Sequence, residues 1–180
     1  MPEGGFIRFD LMSDEQADIL LEGAYTYERA YGELANDTSG ESGYDPDRDQ
    51  ATYDFLRGIV YGSLRQLGAT DPERLKNLVT TYVRSEQPHK QGAALYAVDS
   101  LFDYDEDFAL ETLAFFLAEP WLDSTANPHV DCDVLDDAYP HVRNLEDSGR
   151  LTEERARKLN VILTQHGAEL YAFADPHRLG

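Results

Sequence analysis

The segment HVDCDVLDDAYPH, residues 129–141, holds the residues best suited by type and spacing to chemistry. If it is helical, His129, Asp133, Asp137 and His141 follow i, i+4 steps and lie along one slowly drifting face. Two imidazoles and two carboxylates in that arrangement suit zinc, manganese or iron, and would support a metal-dependent enzyme. Two features oppose this reading. Pro140 disturbs the last turn, and no H-E-x-x-H motif supplies a partner. The competing reading is a solvated acidic face on a short helix, with no cofactor.

Two further acidic clusters resemble the start of a calcium loop. Asp45, Asp47 and Asp49 have the D-x-D-x-D spacing, but Gln50 stands where the loop needs glycine and Leu56 where it needs a bidentate glutamate. Asp103, Asp105 and Asp107 fail in the same way, at Phe108 and Ala114. Both sets read better as acids at helix N-termini, where the macrodipole favours them. Nucleophilic catalysis has less support. Cys132 is flanked by Asp131 and Asp133, which raise a thiol pKa. No G-x-S-x-G elbow, P-loop or dinucleotide fingerprint occurs. The chain has no readable enzyme signature.

Charge is the strongest compositional signal. Thirty-five acidic residues against fifteen basic ones give a formal charge of −20 over 180 residues. Asp outnumbers Glu by 20 to 15, and three lysines stand against twelve arginines. One reading is a salt adaptation: short carboxylates hold water and counterions, and their repulsion is screened where the Debye length falls to about 3 Å at molar salt. The other makes the acidity functional, steering a basic protein partner or imitating the spaced charges of a nucleic-acid backbone. Acids occur in nearly every segment, which suits the generic reading. Neither reading allows direct nucleic-acid binding through a basic patch.

Tyr25, Tyr27, Tyr31, Tyr44, Tyr53 and Tyr61 concentrate in the first third of the chain. They either rim the core with hydroxyls to water or face outward as interface anchors. In the second case Tyr27, Tyr31, Tyr44 and Tyr53, with Asp45, Asp47 and Asp49, form a partner-binding surface suited to a basic protein.

The elements that must position these residues read as helices throughout. Ser13 and Gln16 form a capping box opening a helix to about Asn36. A second helix runs from Pro46 to Leu67, with Gly68 as its stop. Asp71-Pro72 caps a third, Pro88 opens a fourth, and Asp105 caps a fifth ending at Pro120. Gly92, Ala93, Ala94 and Ala97 allow a close helix approach in the fourth. Pro140 predicts two short helical pieces with a bend between them, and Thr152 caps the last helix. About seven helices in one all-α domain over 1–180 are expected, with an N-terminal arm or weak strand at 1–12, an exposed loop at 36–47 and a flexible tail at 174–180. Gln91–Glu119, holding the densest apolar run, is expected at its centre. The chain lacks the ~20-residue apolar run that spans a bilayer. MPEGGFIRFDL lacks the basic and apolar regions of a secretory signal. A cytoplasmic location is the expectation.

A shift of 34 residues aligns Gly58 with Gly92, Leu64 with Val98, Leu67 with Leu101, Asp71 with Asp105, Val79 with Leu113 and Tyr82 with Phe116. Over about residues 53–119 this layout resembles the helical-hairpin units of HEAT or armadillo-like repeats. The resemblance implies stacked hairpins, with an irregular bundle as the alternative. Taken together, these readings favour a non-catalytic, acidic protein-binding domain, most specifically an immunity-type or nucleic-acid-mimicking inhibitor. A halophilic scaffold or assembly subunit is the alternative, and the metal-dependent enzyme a second one.

Overall fold

The computed structural model describes residue 8 and residues 11–36, 46–118 and 132–165. Every regular element among them is a helix: α1 (Asp14–Asn36), α2 (Pro46–Thr70), α3 (Pro72–Tyr82), α4 (Pro88–Leu101), α5 (Glu106–Ala118), α6 (Cys132–Asp147) and α7 (Glu153–Gln165). The protein is all-α. Trp121, the expected loop between α1 and α2 apart from its ends, and the expected tail lie outside the described residues.

The helix starts follow local chemistry. Before α1 the Ser13 N–H donates to Gln16 Oε1 at 2.9 Å, and the Gln16 N–H donates to Ser13 Oγ at 3.2 Å. This is the reciprocal capping box. Asp71 accepts from the Arg74 N–H at 3.0 Å and Asp105 from the Phe108 N–H at 3.1 Å. Thr152 accepts from the Arg155 N–H at 3.3 Å. Each bond satisfies one of the donors a helix start leaves open.

The helix α4 is the hub, packing against α1, α2, α3, α5 and α6. Its sequence explains why. Ala93, Ala94 and Leu95 are consecutive and all buried, as are Ala97, Val98 and Leu101. Consecutive residues lie about 100° apart around a helix, so three of them buried in a row require neighbours on more than one side. The small side chains at 93, 94 and 97 let those neighbours approach closely. The helix α5 carries the rest of the core through Leu110, Leu113 and Phe116, all fully buried. Each such side chain contributes about 1.5–3 kcal/mol on leaving water.

Two expectations are corrected. Gly68 does not stop α2, which continues to Thr70. Its role is packing, since a Cβ built there would sit 2.6 Å from Ser100 Cβ on α4. Nor does Pro140 divide α6, a single helix from Cys132 to Asp147. Pro140 is exposed, whereas Ala138, Val142 and Leu145 are buried. Proline costs α6 one backbone hydrogen bond on its wet side, while the apolar stripe on the other side holds the helix in place.

The turn between α4 and α5 is tied to the start of α7 by cations. Arg150 donates from Nε to Asp99 Oδ1 at 2.6 Å, from Nη1 to Asp103 Oδ2 at 2.9 Å and from Nη2 to the Asp99 carbonyl at 2.6 Å. Arg155 donates from Nε to Glu106 Oε2 and from Nη1 to the Arg150 carbonyl, both at 2.8 Å. Its guanidinium lies 4.8 Å from the centre of the Phe102 ring. The carboxylates at 103, 105 and 107 therefore diverge. Asp103 faces Arg150, Asp105 caps α5 and pairs with Lys76 at 2.6 Å, and Asp107 is exposed.

Candidate functional site

Among the described residues a polar cleft lies where the start of α1 faces α3 and the first turn of α4. This open groove of about 420 Å³ is lined by Asp14, Glu15 and Asp18 on α1, Arg74, Asn77, Leu78, Thr81 and Tyr82 on α3, and Lys90 on α4. That volume falls in the range of small-ligand sites. The capping box sets the α1 end, and the Pro88 start of α4 brings Lys90 to the opposite wall.

The cleft's charges are mostly paired across it. Arg74 Nη2 donates to the Met12 carbonyl at 2.6 Å and to Asp14 Oδ1 at 3.0 Å. Asp18 Oδ1 lies 3.1 Å from His89 Nε2, and its Oδ2 lies 3.1 Å from Lys90 Nζ. That ammonium also sits 5.7 Å from the centre of the Tyr82 ring, on its face. Three groups lack such ties: Glu15 makes no ion pair, Asn77 makes no side-chain hydrogen bond, and the Tyr82 hydroxyl has no hydrogen-bond partner among the described residues. Tyr82 is only 5% exposed. Burial, then the nearby Asp18 and Asp14 carboxylates, push its phenol pKa up to about 12, against a smaller opposing effect of Arg74.

The sequence-derived candidates are placed as follows. Tyr27 and Tyr31 are half-buried on α1, and Tyr61 packs against the core and stacks on Tyr96 with ring centres 4.1 Å apart. Of the three, Tyr61 rims the core. Tyr44 and Asp45 lie outside the described residues, and of Asp47, Asp49 and Tyr53 the backbone alone is described, on the first turns of α2. Of the metal candidates, His129 lies outside the described residues, and Asp133 and Asp137 are described only as backbone of α6. His141 is buried, its ring edge-on to Tyr96 at 4.9 Å. No group of His, Cys, Asp and Glu able to hold a metal ion occurs among the described residues.

None of the cleft residues was singled out as a site from the sequence. Asp18 and Asp14 on α1 lie some 60 to 70 positions from Arg74, Tyr82 and Lys90, and these residues belong to no motif. The one local signal was His89 beside Lys90 after a helix-opening proline. No helix among the described residues is long and apolar enough to cross a membrane. Comparison with protein-family models, curated proteins and solved structures finds no match.

Proposed function

We propose that this chain is a non-catalytic, acidic protein-binding domain, most specifically an inhibitor that occludes a basic surface in the manner of an immunity protein or a nucleic-acid mimic. The observation that carries this reading is where the cations go. All three lysines, with Arg65, Arg74, Arg150 and Arg155, are held in ion pairs within the molecule. The exposed carboxylates of Glu15, Glu22, Glu86, Glu111 and Glu153 have no cation opposite them among the described residues. Arg84 and Arg157 are exposed outside any ion pair among the described residues, and Arg143 acts on Glu146 of its own helix; the three sit separately after α3, on α7 and on α6. Such a surface attracts a basic partner at long range and repels nucleic acid.

The test is retention of basic proteins on the immobilised chain at about 0.05 M salt, followed by elution with rising ionic strength. The expected result is a discrete basic partner, released by salt and lost when Glu15, Glu22 and Glu86 are replaced by lysine. Retention of no basic protein at any ionic strength would sink the reading. The shortage of lysine and the excess of Asp over Glu favour a second reading, a halophilic scaffold or assembly subunit. It requires helical circular dichroism to be lost below about molar salt.

A further inference from the structure

We propose that the first half of α1 is a salt-controlled strap: Asp18 fastens it to the first turn of α4, and screening of that contact releases α1 and the start of α4 together. The device is built into the fold and needs no partner.

Asp18 reaches two consecutive side chains of α4. Its Oδ1 lies 3.1 Å from His89 Nε2, and its Oδ2 lies 3.1 Å from Lys90 Nζ. Both belong to the first turn of the hub helix, and that start has no side-chain cap: Gln87 at the N-cap position makes no such hydrogen bond. The starts of α1, α3, α5 and α7 all carry one, from Ser13, Asp71, Asp105 and Thr152. The first turn of α4 is instead fastened from outside, by a carboxylate 71 positions from His89.

The apolar share of this contact is small. Over residues 14–27 α1 fully buries Ala17 and Leu21, whereas α4 buries eight residues. Polar ties add the rest, with Arg74 Nη2 donating to Asp14 and to the Met12 carbonyl. The side chain of Asp14 is 74% exposed and that of Asp18 31%, so mobile ions reach both. His89 is different: its side chain is 8% exposed, so a departing Asp18 leaves a buried imidazole nitrogen behind. That cost couples the two helices. Lys90 carries the coupling to the end of α3, through its place 5.7 Å from the centre of the Tyr82 ring. The α5–α7 side is the contrast. There Leu110, Leu113, Phe116, Leu159 and Leu163 are fully buried, and apolar contact is not screened by salt.

Native-state amide exchange of the full chain reads each helix separately. From about 0.05 M to about 1 M sodium chloride, protection of the α1 amides should fall about tenfold. The Lys90 and Gln91 amides, which bond the Gln87 carbonyl, should fall with them, and α5 should hold. Asp18→Asn keeps the shape and removes the charge. It should lower the same amides at low salt and abolish their salt dependence. Lys158→Ala, which removes an ion pair between α7 and α5, should leave α1 unchanged. A fall confined to α1 overturns the coupling to α4. Equal salt responses in α1 and α5, or an equal fall of both in Asp18→Asn, overturn the strap, since the fold then opens as one.

Discussion

Tyr82 illustrates how one atom can oppose the stability of the fold around it. Its ring is part of the core, and its hydroxyl has nothing to bond to within the described structure. Tyr82→Phe is therefore expected to raise the unfolding free energy by about 1 kcal/mol, measured by urea denaturation at pH 7. The gain should widen in alkali. The folded phenol titrates at about 12 against an ordinary value of 10, so below pH 10 both states keep the proton and stability is fully present. Between pH 10 and 12 the unfolded chain releases a proton that the folded one holds, and stability falls as pH rises. The phenylalanine variant lacks this loss. Parallel declines of the two proteins above pH 10 would contradict the assignment of that shift to Tyr82.

At the scale of the elements, two glycines within helices behave oppositely. Gly68 lies where α2 crosses α4, with Ser100 Cβ and Leu75 Cδ2 at 2.6 and 3.1 Å from the missing methyl group. Gly92 has nothing within 4 Å of that point. Gly68→Ala should destabilise by about 1–3 kcal/mol through overpacking, and Gly92→Ala should stabilise by about 0.5–1 kcal/mol through helix propensity. Thermal unfolding of both variants is the check, and a stabilised Gly68→Ala would show that the α2–α4 contact is looser than described. Each hairpin, α2–α3 and α4–α5, turns on an aspartate that bonds the N–H three residues on. The paired positions Leu64 and Val98, Leu67 and Leu101, and Val79 and Leu113 are all buried. The capped turns and apolar spacing were legible because both are local. The Gly68 contact was not, because its other half is 32 residues away at Ser100 and no pattern links them.

For the whole molecule, net charge and ion pairs pull in opposite directions. A charge of −20 repels itself, while the interhelical pairs hold particular carboxylates in place. The Lys76 ammonium, then the Phe108 N–H, hold Asp105 below the usual carboxylate range, and Lys158 followed by Arg155 does the same for Glu106. A depressed folded pKa means that the stability from these groups is present above about pH 4 and is lost as pH falls through their folded values. Burial raises Glu146 instead, so its contribution runs the other way. Urea midpoints should therefore drop between pH 5 and pH 3, and a Lys158→Ala variant should show a shallower drop. In dilute buffer at pH 7 the helical circular dichroism should persist, because the ion pairs are strongest at low salt. Loss of helix there would favour salt adaptation over partner binding.

The sequence by itself determined the helices, their starts and the central place of Gln91–Glu119, the stretch that holds most of α4 and α5. Caps act within three or four residues, and an apolar run such as Ala93–Leu95 needs neighbours on more than one side wherever it folds. It also determined the acidic balance, since charge is a count. Tertiary structure alone decided which charges are spent and which remain. Lys90 meets Asp18 across 72 positions and Arg150 meets Asp99 across 51, pairings that no local spacing encodes. It likewise decided that α6 passes through Pro140 unbroken, because packing of Ala138, Val142 and Leu145 outweighs one lost backbone bond. The cleft beside Tyr82 exists for the same reason. Its walls come from three helices, and only their packing forms it.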